Sequence, residues 1–324
     1  MQKPVHGVCL AAAAIAACAA AFPLCAQEYP AKPVRIVLPY APGGPTELVT
    51  RVVADGLTKR MGQPFVIESR PGAATRIGTE AVARAAPDGY TLLMVSTPFA
   101  TNPALFPSLP YDTRDFRAVV HMVSVPTAIF VPQDSPVKTV PELVALARAK
   151  PGAVTVATAG NGTSTHLLLE LLGHITGASF THVPFKGDSP AVTELVAGRV
   201  SAGVHPLGVP LPHVKSGRLR AISVNIDRRL PQLPDVPTLT EQGLKEATAS
   251  TWFGLATLAA VPGAIVARLN AEAVAVLAQA DVRDKLAEVG LLTAGGTPEQ
   301  FDAHIRAEIQ RWGTVIKARG IKVD

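Results

Sequence analysis

Short apolar runs alternate with amphipathic stretches from Val34 almost to the end of the chain, and this alternation constrains the fold more than any other feature. The runs are apolar on both faces, as in strands of a buried parallel sheet, and the stretches between them carry apolar residues at helical spacing. The strand candidates are VRIVLP, FVIES, TLLMVS, VTVATAG, FTHVPF, VSAGV and LRAISVN. The sequence therefore predicts an α/β fold that ends in two long helices, at about residues 264–289 and 298–318.

Two extended segments interrupt this alternation. FRAVVHMVSVPTAIFVPQ is strand-like throughout except at Pro126, and TWFGLATLAAVP is a second lone extended piece far downstream. A chain that leaves one α/β unit, builds another and returns to the first needs two such crossings. We therefore predict two domains joined by two crossover strands: residues 27–123 with 253–324, and residues 124–252.

The first 26 residues, MQKPVHGVCLAAAAIAACAAAFPLCA, contain one Lys, no acidic residue and a long run of small apolar residues. This pattern is typical of a secretory signal peptide and is too short for a membrane anchor. Two processing routes are open: cleavage after Ala26, or lipid attachment at Cys18 within the sequence IAAC. All three cysteines lie in this segment, so cleavage after Ala26 leaves no thiol for a disulfide or for catalysis.

The charge distribution excludes a nucleic-acid surface. The formal net charge of the 324 residues is only +5, and the basic residues are scattered, without a run or an aromatic ladder. No second apolar stretch is long enough to cross a membrane without a charge or a proline. No His, Cys or carboxylate pattern has the spacing of a metal site, and no cofactor is expected.

Three predicted strand-to-helix turns carry glycine or small polar residues. They are PGGPTE at Pro42–Glu47, SRPGAATR at Ser69–Arg76 and AGNGTS at Ala159–Ser164. Ligands of open α/β sheets bind at this end of the strands, where helix N-termini offer free N–H groups to an anion. We expect free N–H groups at Thr46 and Glu47. The spacing matches neither GxxxxGK[ST] nor GxGxxG, so a nucleotide is not indicated.

Catalytic residues are hard to find. The chain has no GxSxG elbow, no HExxH and no nucleophile with a base that can be named. His166 follows a helix cap, where it can brace the turn, contact a ligand or act in catalysis, and the sequence leaves these three roles open. His182 is expected to be a satisfied residue of its strand, and Trp252 and Trp312 are expected to be packing anchors.

The chain resembles a known family over most of its length. The stretches YPAKPVRIVLPYAPGGPTELVTR, FVIESRPGAATRIGTEAVARAAPDGYTLL, ATAGNGTSTHL, THVPFKGDSPAVTELVAGRV and LPDVPTLTEQGL follow in the right order from Tyr29 to about Ile321. They closely resemble the Bug family, the extracytoplasmic solute-binding proteins of tripartite tricarboxylate transporters.

This resemblance implies a periplasmic Venus-flytrap fold, in which two α/β domains close over one small carboxylate. It implies a monomer that delivers the ligand to the membrane subunits of a tripartite tricarboxylate transporter. Ligand-sensing for a signalling partner is the alternative, and catalysis is not expected. Carried over by residue, the implied ligand contacts are Pro42, Gly43, Thr46, Glu47, Ser69, Ala73, Thr75, Gly160, Asn161, Gly162, Thr163, His166, Phe185, Lys186, Gly187 and His205.

Three departures from the family pattern bear on the choice of ligand. Pro45 removes one N–H donor from the first turn. Arg76 stands where the family has a neutral Asn, and it either favours a second carboxylate or faces solvent; we add it to the candidate contacts. His205 replaces a common Asp, which argues against an amino-acid ligand because an ammonium group loses its counter-charge.

Overall fold

The computed structural model describes residues 29–322, so the predicted signal peptide, Cys18 and the predicted cleavage point after Ala26 lie outside the described residues. From residue 34 to residue 132 the elements are β1 Val34–Leu38, α1 Pro45–Met61, β2 Phe65–Ser69, α2 Arg76–Ala83, β3 Thr91–Ser96, α3 Thr97–Leu105, β4 Phe116–Val125 and β5 Thr127–Pro132. From residue 140 to residue 224 they are α4 Val140–Ala149, β6 Thr155–Thr158, α5 Ser164–Thr176, β7 Thr181–Pro184, α6 Asp188–Val196, β8 Ala202–Pro206, α7 Leu211–Lys215 and β9 Leu219–Val224. The chain then forms β10 Thr251–Leu258, α8 Gly263–Leu277, α9 Ala280–Glu288, β11 Leu292–Gly295 and α10 Pro298–Arg319.

The strands form two separate mixed sheets. The first sheet has the order β11-β4-β10-β3-β1-β2, and the second has the order β7-β6-β8-β5-β9. In the first sheet β1 is parallel to β2 and β3, while β10 is antiparallel to β3 and β4. In the second sheet β6 is parallel to β7 and β8, while β5 is antiparallel to β8 and β9. We call each sheet with its helices a lobe, so the predicted two-lobed α/β fold is confirmed.

The chain passes between the lobes twice. Strand β4 ends at Val125 in the first sheet and β5 begins at Thr127 in the second, with Pro126 between them. A proline cannot donate to a sheet ladder, which suits a point where the chain changes sheets. The return path runs from the end of β9 at Val224 to the start of β10 at Thr251. The domain limits at residues 123/124 and 252/253 stay a prediction.

The prediction of one helix over residues 264–289 is wrong, because two helices, α8 and α9, meet there at an angle of 71°. In a straight helix the buried stripe that includes Leu277 would continue to Asp284, whereas the buried residues of the second segment are Val282 and Leu286. The bend brings these apolar side chains to the core. Strand β11, which follows and pairs with β4, was missed by the sequence analysis.

The helices of the described residues are short or amphipathic compared with a membrane-spanning helix. Among residues 29–322 no single helix has the length and hydropathy needed to cross a membrane. Helices α8 and α9 have the necessary length and hydropathy only if the two bent helices are taken together.

Helix α10 ties the two lobes together and confirms the second predicted tail helix. It begins with a capping box formed by Thr297 and Gln300. Trp252 and Trp312 are 0% and 1% exposed, and both indole N–H groups donate to Glu308 Oε2, at 3.4 and 2.7 Å. The prediction that these tryptophans are packing anchors is confirmed. Helix α10 also packs against α5 of the second lobe.

Candidate functional site

The lobes enclose a cavity of about 170 Å³ where strand ends and turns from the two sheets meet. Its walls come from both lobes and carry no charged side chain. The first lobe contributes Tyr40, Ser96, Thr97, Pro98, Thr101, Thr251 and Phe253, and the second contributes Gly162, Thr163, Ser164 and Leu167. Of the predicted contacts, only Gly162 and Thr163 line this cavity. The other predicted turns lie outside its lining.

The turn before α1 is shaped by its own acidic residue. The Gly43 N–H donates to Glu47 Oε2 at 2.7 Å, and the Glu47 N–H donates to the Gly44 carbonyl at 3.1 Å. The expectation of a free N–H at Glu47 is therefore wrong. The N–H of Thr46 has no hydrogen-bond partner among residues 29–322, as predicted. The hydrogen bond from Gly43, followed by that from Arg51, lowers the pKa of the Glu47 carboxyl. Pro42 is exposed beside this turn.

The turn before α2 has an unusual backbone. Ala73, Ala74 and Thr75 have φ values of 47°, 52° and 73°, so three successive non-glycine residues are left-handed. Each costs about 1–2 kcal/mol, because the Cβ approaches a backbone carbonyl. The Asn102 amide holds the turn by donating to the Ala74 carbonyl at 2.8 Å. The exposed Ser69 ends the preceding strand β2.

The side chain of Arg76 folds back on this same turn. Its Nε donates to the Ala73 carbonyl at 2.8 Å, and its guanidinium lies 3.9 Å from the centre of the Phe106 ring. This stacking resembles a cation–π contact. The sequence left open whether Arg76 favours a second carboxylate or faces solvent. In the structure its guanidinium contacts its own turn and Phe106, and contact with a ligand stays a prediction.

The turn before α5 is braced by side chains. The Thr163 hydroxyl donates to the Gly160 carbonyl at 2.7 Å and caps the helix by accepting from the His166 N–H. The Gly162 N–H donates to His166 Nδ1 at 3.1 Å. His166 therefore braces the turn and occupies one of its N–H donors. Asn161 lies exposed at the tip of the turn. Contact of these residues with a ligand stays a prediction.

Behind this turn, His166 belongs to a row of titratable groups that reaches the other lobe. Its ring stacks on His182 with centroids 3.9 Å apart, and Arg319 of α10 donates to Glu170 Oε2 at 2.6 Å. Burial, and then the neighbouring His166, lower the pKa of His182 to about 4. Burial raises the pKa of Glu170, but His166 and Arg319 outweigh it and bring the value to about 2. His182 Nε2 lies 2.6 Å from the Thr158 hydroxyl, so the prediction of a satisfied His182 is confirmed.

The turn before α6 lies against the Gly160 turn, so the structure brings these two predicted groups together. The Gly187 N–H donates to the Ala159 carbonyl at 3.1 Å, and a Cβ on Gly160 would lie 3.0 Å from the Phe185 carbonyl oxygen. Lys186 is exposed at the tip of the turn. The two turns therefore form one continuous rim of the second lobe.

His205 is placed beneath the start of α6 rather than on an open surface. It is 0% exposed, and its Nδ1 lies 2.7 Å from Asp188 Oδ1. Asp188 therefore places a carboxylate beside His205, and the expectation that an amino-acid ligand is disfavoured stays a prediction. Contact between His205 and a ligand stays a prediction.

The junction of β3 and α3, at Ser96 and Thr97, provides much of the first-lobe wall of the cavity and was not among the predicted contacts. Thr97 is 4% exposed, and its hydroxyl has no hydrogen-bond partner among residues 29–322. The Tyr40 hydroxyl hydrogen-bonds the Ser96 hydroxyl at 2.5 Å. The missed signal was Ser-Thr-Pro directly after an apolar run, a start for a helix that needs no glycine.

Metal-binding groups are not assembled in the described part of the chain. Among residues 29–322 no three His, Cys, Asp or Glu side chains lie close enough to hold a metal ion. What the cavity offers is hydroxyl groups and helix N-termini, which bind anions and polar neutral groups.

Comparison with known proteins gives a consistent set of relatives. Residues 49–321 match the family model described as "Tripartite tricarboxylate transporter family receptor". The chain is 37% identical to Protein BugT of Bordetella pertussis over 322 residues, which cover 98% of this chain and 97% of BugT.

Three solved structures share its fold. A TctC solute binding protein from Polaromonas with no ligand is 29% identical with a TM-score of 0.81, and the match covers 90% of this chain and 99% of that one. Rpa4515 of R. palustris with adipate is 32% identical with a TM-score of 0.72, covering 91% and 99%. MatC (Rpa3494) from Rhodopseudomonas palustris with bound malate is 33% identical with a TM-score of 0.69, covering 89% and 100%.

Proposed function

This chain belongs to the tripartite tricarboxylate transporter receptor family, and on that premise we propose that it captures a small organic carboxylate between its lobes by domain closure. We further propose that it delivers the ligand to the membrane subunits of a tripartite tricarboxylate transporter. The chain is a member of a solute-binding receptor family, and relatives have been solved with adipate and malate. The leader at residues 1–26 supports export of the protein to the periplasm.

The observation that carries this proposal is the uncharged cavity between the lobes. Two helices, α3 and α5, begin at its wall, so the positive ends of their dipoles meet there. An anion near such helix ends gains from backbone N–H groups without needing a cationic side chain. A charge-assisted hydrogen bond contributes about 1.5–3 kcal/mol. Three or four of them can outweigh the costs of desolvation and closure and leave roughly micromolar affinity.

Closure is supported by the two crossings of the chain, after Val125 and between Val224 and Thr251. Two lobes joined by two such crossings can rotate as rigid bodies about them. We propose that the predicted turns at residues 42–47, 69–76, 160–166 and 185–187 surround the ligand after closure.

Thermal shift and calorimetry with a panel of acids test this proposal. The panel contains butyrate, succinate, malate and adipate, with glucose and putrescine as a neutral and a cationic control. We expect at least one acid to raise Tm and to bind with roughly micromolar affinity. Stabilisation by putrescine or glucose, with none by any acid, would overturn the proposal. Native mass spectrometry of protein purified without denaturation can identify a retained ligand.

Closure and delivery need separate measurements. Small-angle scattering should show a smaller radius of gyration when the bound acid is added. Uptake of that acid by cells should fall when the protein is deleted and recover when it is restored. Closure without any effect on uptake would favour the sensing role instead.

A further inference from the structure

The start of α3 occupies a central position in the first lobe. Strand β3 lies between β1 and β10, and α3 follows it at Thr97 without an intervening loop. Ser96 precedes the helix but provides no side-chain cap bond, and Pro98 has no N–H. The backbone N–H of Thr97 therefore has no hydrogen-bond partner among the described residues. The start of α3 is left uncapped by the protein itself.

The Thr97 side chain is a second, independent feature of this position. Its hydroxyl is buried and lacks any partner in the described part of the chain, and the residue lines the cavity. An unsatisfied buried hydroxyl is unfavourable and rare in native proteins, so its presence needs an explanation. A ligand atom that accepts a hydrogen bond would provide one.

The opposite wall of the cavity, formed by the second lobe, also offers a free backbone N–H at the start of a helix. Helix α5 begins there at Ser164, whose N–H has no partner among residues 29–322. Burial raises the pKa of Tyr40 to about 12, although the Ser96 hydrogen bond lowers it, so the tyrosine at this cavity stays neutral. The lining contains no carboxylate that would repel an anion and no cation that would pair with one.

The cavity is separate from the glycine-containing turn before α1, where Thr46 offers a free N–H, since no residue of that turn lines it. The first lobe therefore has two places that can accept an anionic group. We propose that the starts of α3 and α5 hold the second carboxylate of a dicarboxylate ligand, with the Thr97 hydroxyl as the specificity-determining donor. This inference rests on the proposed carboxylate-binding function and names the ligand class.

Calorimetry with acids matched in carbon number tests the inference. Succinate is compared with butyrate, and adipate with hexanoate, on the wild-type protein and on Thr97→Val and Thr97→Ser. We expect Thr97→Val to weaken binding of the dicarboxylates about ten- to a hundredfold and of the monocarboxylates less than about twofold. Thr97→Ser, which keeps the hydroxyl, should stay within about threefold of wild type. Equal losses for both members of a pair, or no loss, would overturn the inference.

A second measurement separates a binding role from a structural one. Thr97→Val removes a buried hydroxyl that has no partner, so Tm of the ligand-free protein should stay the same or rise. The matched control is Thr257→Val, because the Thr257 hydroxyl is also buried but donates to the Thr91 carbonyl at 3.1 Å. It should lower Tm and leave the preference for dicarboxylates unchanged.

The two proposals fail in different ways. If the wild-type protein binds no acid of the panel, the proposed function fails and this inference fails with it. If the wild-type protein binds monocarboxylates as well as their dicarboxylate partners, the proposed function stands and this inference alone is overturned. A lower Tm for Thr97→Val with unchanged affinities would assign the hydroxyl to stability.

Discussion

Helices that begin where the two lobes face each other differ in how their first turns are capped. In the first lobe α1, α2 and α3 have no side-chain cap bond at Gly44, Thr75 and Ser96. In the second lobe the turn before α5 is capped by Thr163 and braced by His166. A turn without a cap leaves backbone N–H groups available to a ligand, whereas a braced turn holds its shape without one. The first lobe thus leaves the starts of α1, α2 and α3 without a side-chain cap, whereas the second lobe holds the start of α5 in a fixed shape. The second lobe still offers the Ser164 N–H, which has no partner among residues 29–322, and its helix α6 has no side-chain cap bond at Gly187.

The largest expected effect is at the braced turn. Gly160 has φ of 132°, and a Cβ there would lie 3.0 Å from the Phe185 carbonyl oxygen. Gly160→Ala should lower the free energy of unfolding by about 3 kcal/mol, because backbone strain and a clash add. It should also weaken acid binding severalfold. Urea denaturation measures the first and calorimetry the second. Gly208→Ala is the control, since its φ is not positive and nothing lies within 4 Å of its added Cβ; equal stability of the two variants would contradict the argument.

The next largest effect concerns the support behind that turn. Arg319→Ala removes the cross-lobe partner of Glu170, whose side chain is 14% exposed. Glu170 then keeps only the His166 imidazole, whose Nε2 lies 3.7 Å from Glu170 Oε1, and the loss of the guanidinium from this partly buried carboxylate should destabilise the protein by about 2 kcal/mol. The control is Arg84→Ala. Arg84 pairs with Glu80 but its side chain is 76% exposed, so this ion pair should contribute less than about 1 kcal/mol to the free energy of unfolding. Equal losses in urea denaturation would show that Glu170 does not need Arg319.

The pH dependence of stability follows from the same group of side chains. The folded-state pKa of His182 is about 4, below its ordinary value of 6.5, with His166 and Glu170 as its titratable neighbours. The unfolded chain therefore binds protons first, and stability falls as the pH drops from about 6.5 to 4. His182 is only partly buried and solvent screens its charge, so we expect the free energy of unfolding to be lower by roughly 1 kcal/mol at pH 5 than at pH 7.

The variant His182→Asn should reduce that loss between pH 7 and pH 5, measured by denaturant titration at each pH. Exposed His174, near the end of α5, provides the control as His174→Asn, which should leave the pH profile unchanged. A wild-type profile that is flat across this range would contradict the lowered pKa of His182.

A smaller, stabilising change is expected at the uncapped turn before α2. Ala74→Gly relieves a left-handed residue with φ of 52° and should raise the free energy of unfolding by about 0.5–1 kcal/mol. The same substitution in an exposed helical site, Ala145→Gly in α4, should lower it by about 1 kcal/mol. If both variants lose stability equally, the turn is not strained.

The smallest effect is expected for Arg76→Asn. Because the guanidinium contacts Ala73 and Phe106, its removal should change the affinity for any acid by no more than about threefold, by calorimetry. A selective tenfold loss for dicarboxylates would instead give Arg76 the specificity role left open by the sequence.

The sequence predicted every strand except β11, and most of the helices, because the spacing of apolar residues along the chain is a local pattern. It failed at residues 264–289, where each half is a plausible helix and only the core decides that the chain must bend to bury Val282 and Leu286. At the site, the glycine-containing turns could be predicted because a few consecutive turn-forming residues are enough to recognise them. The Ser96–Thr97 turn was missed because it contains no glycine, and its hydroxyl becomes unusual only when burial leaves it without a partner.

The sequence by itself determined the α/β class, the two crossings between lobes, the glycine-containing turns and the resemblance to a family of receptors. These features depend on short-range patterning and on motifs of a few consecutive residues. Only the tertiary structure decided that Thr97 lines the same cavity as Thr163. It also decided that His166 Nδ1 accepts a hydrogen bond from the Gly162 N–H, and that Asp188 lies beside His205. Such pairings depend on how two sheets are placed against each other, and no local pattern of residues encodes that placement.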